Sequence, residues 1–419
     1  MISSQPSCTD IFEQGLMPVK QALKQILAAT PTLAEYQLIN IEYAKGRTLA
    51  QAIVAPFNVP RHNNSAVDGY ACHATDIPVD GIATLTIVDI AYAGKPCVTH
   101  IESGQCVRIM TGAIIPENLD VVIMQEHVEV TDNIISIDHR HQQGQNIRLA
   151  GEDIQQHETV LQPGQFITPA DIGLLASLGF AEIKVRRKLK IAIASTGNEV
   201  ISIGDTHSRQ KIYDSNRYIL YAALQRPDIE IINLGILEDE PEALLKQFKQ
   251  SSLYADIIIS SGGVSVGDAD YTKTALKQSG NVDFWKIAIK PGRPLAFGTI
   301  GQSLFFGLPG NPVAVMVTFY QFVLPAIEQM LGIKNKAINP QMQLKTTENI
   351  RKKPGRTEVV RGIMHQDDAG VWQVKTTGKQ GSGILRSMSL ANAFIILEHE
   401  RSSVKAGEMV TVQPFSGLF

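Results

Sequence analysis

Between residues 187 and 334 a short apolar run recurs four times, and three of these runs end in a kinked turn of small residues. The clearest is Asp256-Ile257-Ile258-Ile259-Ser260-Ser261-Gly262-Gly263. A continuous isoleucine run of this length is the pattern of a strand buried on both faces. Strand patterns at 189–194, 229–234, 256–260 and 304–307 alternate with helical patterns at 215–225, 242–251, 272–278 and 312–331. Such alternation calls for a parallel sheet covered by helices on both sides. In these sheets ligands gather beyond the carboxyl ends of the strands, at a topological switch point. The turns Ser195-Thr196-Gly197-Asn198-Glu199, Ser260-Ser261-Gly262-Gly263 and Leu308-Pro309-Gly310-Asn311-Pro312 all fall at such ends.

The backbone N–H groups of the Ser260 to Gly263 turn suit an anion. Asp268 and Asp270 follow at two-residue spacing, a donor type that suits Mg²⁺ bridging a phosphorylated ligand. Alone, the stretch reads equally as an ordinary βα turn, where Gly and Asp recur for local reasons. With Glu199 and Asp239 at neighbouring strand ends, a polar site is the better reading. Neither GxGxxG nor GxxxxGK[ST] occurs at these turns, which disfavours the nucleotide folds that carry them. Lys286 and Lys290, at even spacing, are expected on one face of a strand, with Arg293 close by. They suit phosphate or another oxyanion, though surface lysines on a strand need no special explanation.

Ahead of this region, Val19, Ala22, Leu23, Ile26 and Leu27 mark one face of a helix over 17–29. A strand at 35–40 and a short helix at 44–51 follow. Pro56 and Pro60 then lead into Asn64-Ser65-Ala66-Val67-Asp68-Gly69-Tyr70-Ala71, which reads as a turn presenting Asp68 to a ligand or as a structural Asx-turn. Short β segments at 84–90, 106–110, 121–125 and 134–137 make a β-rich module, and Thr111 interrupts one of them. His139 and His141 are expected to be solvated. Thr168-Pro169 starts a helix reaching Gly179. Strands at 358–362, 371–376, 393–397 and 409–413 suggest a small C-terminal barrel or sandwich, whose Gln380-Gly381-Ser382-Gly383 loop is either functional or merely tight.

At 419 residues the chain is expected to hold roughly two to four domains. Its 38 basic and 41 acidic residues leave a net charge of −3, which excludes a global basic field for nucleic acid. No uninterrupted apolar run reaches the roughly 18 residues of a membrane span. The start lacks the basic and apolar regions of a signal peptide. Cys8, Cys72, Cys97 and Cys106 show no metal or disulfide spacing, so reduced thiols and a cytoplasmic location are expected.

Taken together, Asn64 to Ala71, Arg108-Ile109-Met110-Thr111-Gly112, Gly151-Glu152-Asp153 and the three strand-end turns resemble the molybdopterin molybdenumtransferase family, which includes the E domain of gephyrin. The motifs stand in family order across nearly the whole chain. The resemblance implies a multidomain α/β plus β chain. Its parts would be a split linker domain (1–52 and 150–186), an inserted β-rich domain (53–149), a three-layer α/β/α molybdopterin-binding domain (187–334) and a C-terminal β-barrel (335–419). It implies a homodimer whose active site joins the inserted domain of one subunit to the α/β domain of the other. Molybdopterin-pathway proteins or molybdoenzymes are implied as partners. The implied reaction consumes adenylylated molybdopterin and molybdate and releases AMP. Asp68, Thr111, Glu199, Asp270, Lys286 and Lys290 would be catalytic. Asp153, Thr196, Gly197, Ser261, Gly262, Gly263, Ser265, Arg293, Pro309, Gly310, Asn311, Pro312, Arg356 and Ser382 would bind substrate. Glu199, Asp239, Asp268 and Asp270 would hold Mg²⁺. Positions that often carry Asp, Met and Lys in the family hold Asn198, Val67 and Arg293 here. The alternatives are a molybdopterin adenylyltransferase, which shares the α/β domain, and a scaffold that keeps the fold without catalysis.

Overall fold

The computed structural model describes residues 15–206, 209–238, 240–262, 280–334 and 340–415. The chain forms two compact units: one takes the chain to Ala50, Gly164–Ile172 and everything from Glu182, and the other takes Gln51–Pro163 and Gly173–Ala181.

The first unit is built on a six-stranded sheet. Its strands are β1 (Leu189–Thr196), β2 (Ile229–Leu237), β3 (Ile257–Ser261), β4 (Gly280–Lys286), β5 (Pro294–Ile300) and β6 (Ser303–Leu308). They lie in the order β2-β1-β3-β6-β5-β4. The first four positions are parallel, as the apolar runs require, while β5 runs antiparallel to both β6 and β4. Alternate residues of one run serve opposite faces. Ile191, Ile193, Ile257 and Ile259 pack with Leu220, Leu224 and the helical stretch after Asn311, whereas Ala192, Ala194 and Ile258 pack with Leu244 and Phe248 of the helix Pro241–Ser251. Helices on both faces make the three-layer α/β/α arrangement. Burying each such isoleucine contributes about 1.5–3 kcal/mol. At the strand entry Asp256 accepts two bonds of 2.8 Å from the Arg187 guanidinium and one of 2.7 Å from the Lys190 N–H, tying the starts of β1 and β3 together.

The helix expected over 312–331 is not regular. It runs as Pro312–Thr318, a π-helical turn Phe319–Val323, and Leu324–Leu331. Pro325 explains the break, since its ring has no N–H and crowds the carbonyl four residues back. This stretch has the length and apolarity of a membrane span, but 72% of its most apolar window is buried inside the protein.

Val19–Ala29 is helical and buries Ala22 and Ile26 against the same core. The short helix expected at 44–51 is absent. Gly46 has φ +76°, and Thr48 and Leu49 bridge to Phe166 and Val185, which extends the backbone there. The C-terminal strands Thr357–Gln366, Trp372–Thr376, Ala393–Leu397 and Met409–Pro414 are joined by Met342–Thr346. Their pairings close on themselves as a five-stranded barrel around Val374, Ile395, Val410 and Val412.

The second unit carries a mixed six-stranded sheet in the order Val121–Met124, Gly69–Cys72, Gln105–Ile109, Ile82–Ala91, Ile134–Asp138, Glu129–Thr131. Its two faces bury Ala71, Val107 and Val122 on one side and Tyr70, Cys106 and Ile123 on the other. Cys72, Cys97 and Cys106 are free thiols, and burial pushes Cys106 up to about 12. His141, expected to be solvated, is buried with its ring stacked 6.0 Å from that of His127. The helix Pro169–Ser177 begins with a reciprocal cap between Thr168 and Asp171.

Candidate active site

Strand order 2-1-3 places the topological switch between β1 and β3, whose carboxyl ends carry Thr196-Gly197 and Ser261-Gly262. A β-carbon on Gly262 would lie 2.4 Å from the Thr196 carbonyl oxygen, and one on Gly310 would be 4.0 Å from Gly262 Cα. The three small-residue turns therefore meet. Gly262, at φ +89°, also adopts a backbone that side-chain-bearing residues avoid. Its N–H donates to the Leu308 carbonyl at 3.1 Å, which fastens the second turn to the third. Gly310 and Asn311 are exposed beyond them, and the Asn311 side chain does not cap the helix that follows.

Glu199 folds its carboxylate back over Gly197, where an added β-carbon would be 2.8 Å from Oε2. Beside it the Lys211 ammonium donates to the Asn198 carbonyl. Among the described residues Thr196 Oγ1 and Asn216 Oδ1 are buried here without a hydrogen-bond partner, while Asn216 Nδ2 donates to the Gly310 carbonyl at 2.7 Å. Orphaned polar atoms in a wall of converging turns are what a polar ligand would satisfy. Beneath this wall lies a buried chain of polar groups. Ser261 Oγ is 3.1 Å from Ser195 Oγ, Ser195 donates to Asp214 at 2.9 Å, and Arg217 Nε donates to Asp214 at 2.9 Å. Asp214 is 4% exposed and Arg217 7%, so the pair is held in the interior.

The basic residues are arranged differently from the expectation. Lys286 ends β4, but the chain turns at the buried Ile287 and Ala288, and Lys290 joins the barrel beside Thr357–Gln366. The two lysines thus do not share one strand face. Lys290 is also engaged, with Nζ 3.3 Å from both oxygens of Glu358. Arg293 and Arg356 are partly buried. Ser382 is brought to the site: its carbonyl accepts from the N–H of Val313, the residue after the Pro309 to Pro312 turn, at 3.3 Å.

In the second unit Asp68 and Thr111 meet. Asp68 Oδ1 accepts from both the Thr111 N–H and Oγ1 at 2.7 Å, and these bonds hold the Asp68 carboxyl below its ordinary range. Gly69 follows for lack of space rather than for turn geometry, since a β-carbon there would be 2.1 Å from the Ile123 carbonyl oxygen. Asp153 is exposed, with its N–H donating to Val59.

Gly263, Ser265, Asp268, Asp270 and the expected helix at 272–278 lie outside the described residues, as do Asp239 and Cys8. Glu199 supplies the hard oxygen donors that Mg²⁺ takes. Among the described residues no cluster of three or more His, Cys, Asp or Glu stands ready for a metal. Asn216, Lys211 and the Asp214–Arg217 pair escaped the sequence reading. Their one signal is the polar run Asp214-Ser215-Asn216 opening a helix, which reads as an ordinary helix start.

Three family models match in succession. These are the MoeA N-terminal region (domain I and II) over residues 17–179, a probable molybdopterin binding domain over 193–329, and the MoeA C-terminal region (domain IV) over 343–415. The chain is 41% identical to a molybdopterin molybdenumtransferase of Haemophilus influenzae, over 96% of this chain and 100% of that one. It is 33% identical to gephyrin of Dictyostelium discoideum, over 94% of this chain and 62% of that longer one. Among solved structures it resembles a molybdopterin biosynthesis MoeA protein from Pyrococcus horikoshii, with a TM-score of 0.84 and 28% identity, covering 96% of this chain and 100% of that one.

Proposed function

Because the chain belongs to the molybdopterin molybdenumtransferase family, we propose that it inserts molybdenum from molybdate into adenylylated molybdopterin and releases AMP. The observation that carries this reading is the meeting of the Thr196-Gly197, Ser261-Gly262 and Pro309-Gly310 turns at the switch point. Such a site fits a ligand with phosphate and hydrogen-bonding groups. The reaction must cleave a pyrophosphate linkage while two oxyanions sit close together, so positioning and charge compensation dominate the barrier.

In this reading the turn that opens at Gly262 lies against the pterin phosphate, and Thr196 Oγ1 donates to a ligand oxygen. Lys286, Lys290 and Arg293 serve the oxyanions, with Lys290 leaving Glu358 as the anion arrives. Arg293 presents a planar fork where the family often has a point charge, which favours bidentate contact with an oxyanion. Arg356 and Ser382 bind substrate, Ser382 from beside the Pro309 to Pro312 turn. Glu199, Asp239, Asp268 and Asp270 would hold Mg²⁺, which supplies Lewis-acid neutralisation of phosphate charge when bound. Asp68, kept ionised by Thr111, orients molybdate together with Asp153 from the partner subunit of a homodimer. We place the protein in the cytoplasm, with molybdopterin-pathway proteins as its partners.

The test incubates purified protein with adenylylated molybdopterin, Mg²⁺ and molybdate. Molybdate-dependent AMP release is expected, lost on chelation of Mg²⁺ and lost again in Asp270→Ala with the fold intact. Adenylylation of free molybdopterin from ATP would instead assign the adenylyltransferase reading, and neither activity would assign the scaffold.

A further inference from the structure

In the second unit the strands Gly69–Cys72 and Gln105–Ile109 run antiparallel in one register, with Gly69 opposite Ile109, Tyr70 opposite Arg108 and Ala71 opposite Val107. The next step of that register sets Cys72 opposite Cys106. Both side chains are fully buried in one apolar cluster with Tyr70, Leu85 and Ile123, so they stand on the same face of the sheet. Buried cysteines often serve only as small apolar side chains. This pair differs because each sulfur faces another across a single ladder step. Opposed β-carbons on antiparallel strands lie about 4.5–5.5 Å apart and a disulfide needs about 3.5–4.5 Å, so closing the bond takes a shift of about 1 Å. Cys72 is the last residue of its strand, where such a shift is most easily absorbed. Just beyond the pair the chain is clasped. The Asp76 carboxylate accepts from Ser103 Oγ at 2.6 Å and from the Gly104 N–H at 3.1 Å, and the Asp120 carboxylate accepts from the Ala74 N–H at 2.7 Å. Burial lifts both thiols, Cys106 to about 12, so neither is a thiolate at neutral pH while the clasp is shut.

We propose that Cys72 and Cys106 are a paired oxidation site: when the clasp opens they reduce one hydroperoxide and close a disulfide across the two strands. One sulfur, shedding its proton, attacks the terminal oxygen of the peroxide. The O–O bond breaks, OH passes to the sulfur as a sulfenic acid, and the alcohol leaves carrying the proton. The second thiol then attacks that sulfur, its proton leaves with the hydroxyl as water, and the S–S bond forms. Two electrons pass from the sulfurs to the peroxide, and with hydrogen peroxide both products are water. The same strands carry Asp68 ahead of Gly69 and Thr111 beyond Ile109, so the bond locks from its far end the ladder that holds the Asp68–Thr111 pair. This chemistry requires nothing of the reaction proposed above.

The test exposes the full chain to hydrogen peroxide, blocks the remaining thiols with an alkylating reagent, and maps the unfolded protein by peptide mass. A Cys72–Cys106 crosslink is expected, reversed by a dithiol reductant and absent from Cys72→Ala and from Cys106→Ala. Asp76→Ala, which opens the clasp, is expected to form the crosslink ~10-fold faster. In the oxidised protein, amide exchange in Gly69–Cys72 and Gln105–Ile109 is expected to slow ~10-fold, with Leu189–Thr196 unchanged. Cys97, a partly exposed free thiol, gauges the dose. Cys72 and Cys106 that stay thiols, or oxidise separately, when Cys97 is fully oxidised overturn the site, as does a crosslink of either to Cys97. An unchanged rate in Asp76→Ala overturns the part given to the clasp.

Discussion

The two polar regions that the proposed function joins are built on opposite principles. At the switch point of the α/β sheet, position is enforced by exclusion. Gly262 stands where a β-carbon would reach 2.4 Å from a carbonyl oxygen, and the polar chain from Ser261 to Arg217 lies sealed below. At Asp68 the carboxylate is exposed, and its position depends on two short bonds from one residue, Thr111. The first region leaves no room for a side chain at Gly262, and the second depends on its hydrogen-bonding pattern. That difference dictates how each should fail.

The largest effect is expected below the switch point. Asp214→Ala strands Arg217 as an uncompensated buried charge and should lower stability by about 3–5 kcal/mol, read from the midpoint of denaturant unfolding. Gly262→Ala should keep a folded chain but displace the Thr196 turn, lowering kcat/KM for AMP release by roughly two orders of magnitude. Gly310→Ala is its control. A β-carbon there meets only an ordinary 4.0 Å contact, so a change within about 3-fold is expected. Comparable losses from both substitutions would show that bulk at the cleft, rather than the Gly262 to Thr196 approach, is decisive.

Asp68→Asn should reverse the pattern, with activity falling by roughly 10-fold or more at unchanged melting temperature. The smallest change is Thr111→Val. It removes one of the two donors, so the Asp68 pKa should rise toward its ordinary value while the backbone bond keeps part of the depression. A depressed carboxylate contributes stability above its unfolded pKa and loses it as pH falls through the folded pKa. The variant should therefore show the acid limb of its pH–activity profile, and the Asp68 titration read by NMR, moved to higher pH.

Much of this architecture is legible in the sequence for a physical reason. Strands buried on both faces must be apolar throughout, so 189–194, 256–260 and 304–307 announce a parallel sheet and place its turns at one edge. The barrel is legible through its turns, although Met342–Thr346 is not, because its alternation of Met342 and Leu344 with exposed Gln343 and Lys345 spans only two apolar positions. The chain direction after Lys286 escapes for a different reason. Ile287, Ala288 and Ile289 continue an apolar run, and only burial against Met17 and the barrel shows that a corner lies within it. Pro325 breaks a helix whose apolar pattern continues unbroken, so periodicity alone reads straight through the π turn. Asp68, Thr111, Glu199 and the strand-end turns stand in motifs that the sequence displays, whereas Asp214 and Arg217 stand in none. Their roles depend on which distant groups they meet inside the fold, and nothing local marks that.

The proposed site joins the two regions across a homodimer, and subunit complementation tests this directly. Asp68→Asn and Glu199→Gln each alter an exposed carboxylate, one in each unit, so both variants should fold and both should be nearly inactive. Mixed after dissociation and reassociated, half of the dimers carry both substitutions on different chains, and one of their two sites is unaltered. Recovery of roughly a quarter of wild-type AMP release is expected. Activity that stays at the level of the separate variants would contradict a site shared between subunits.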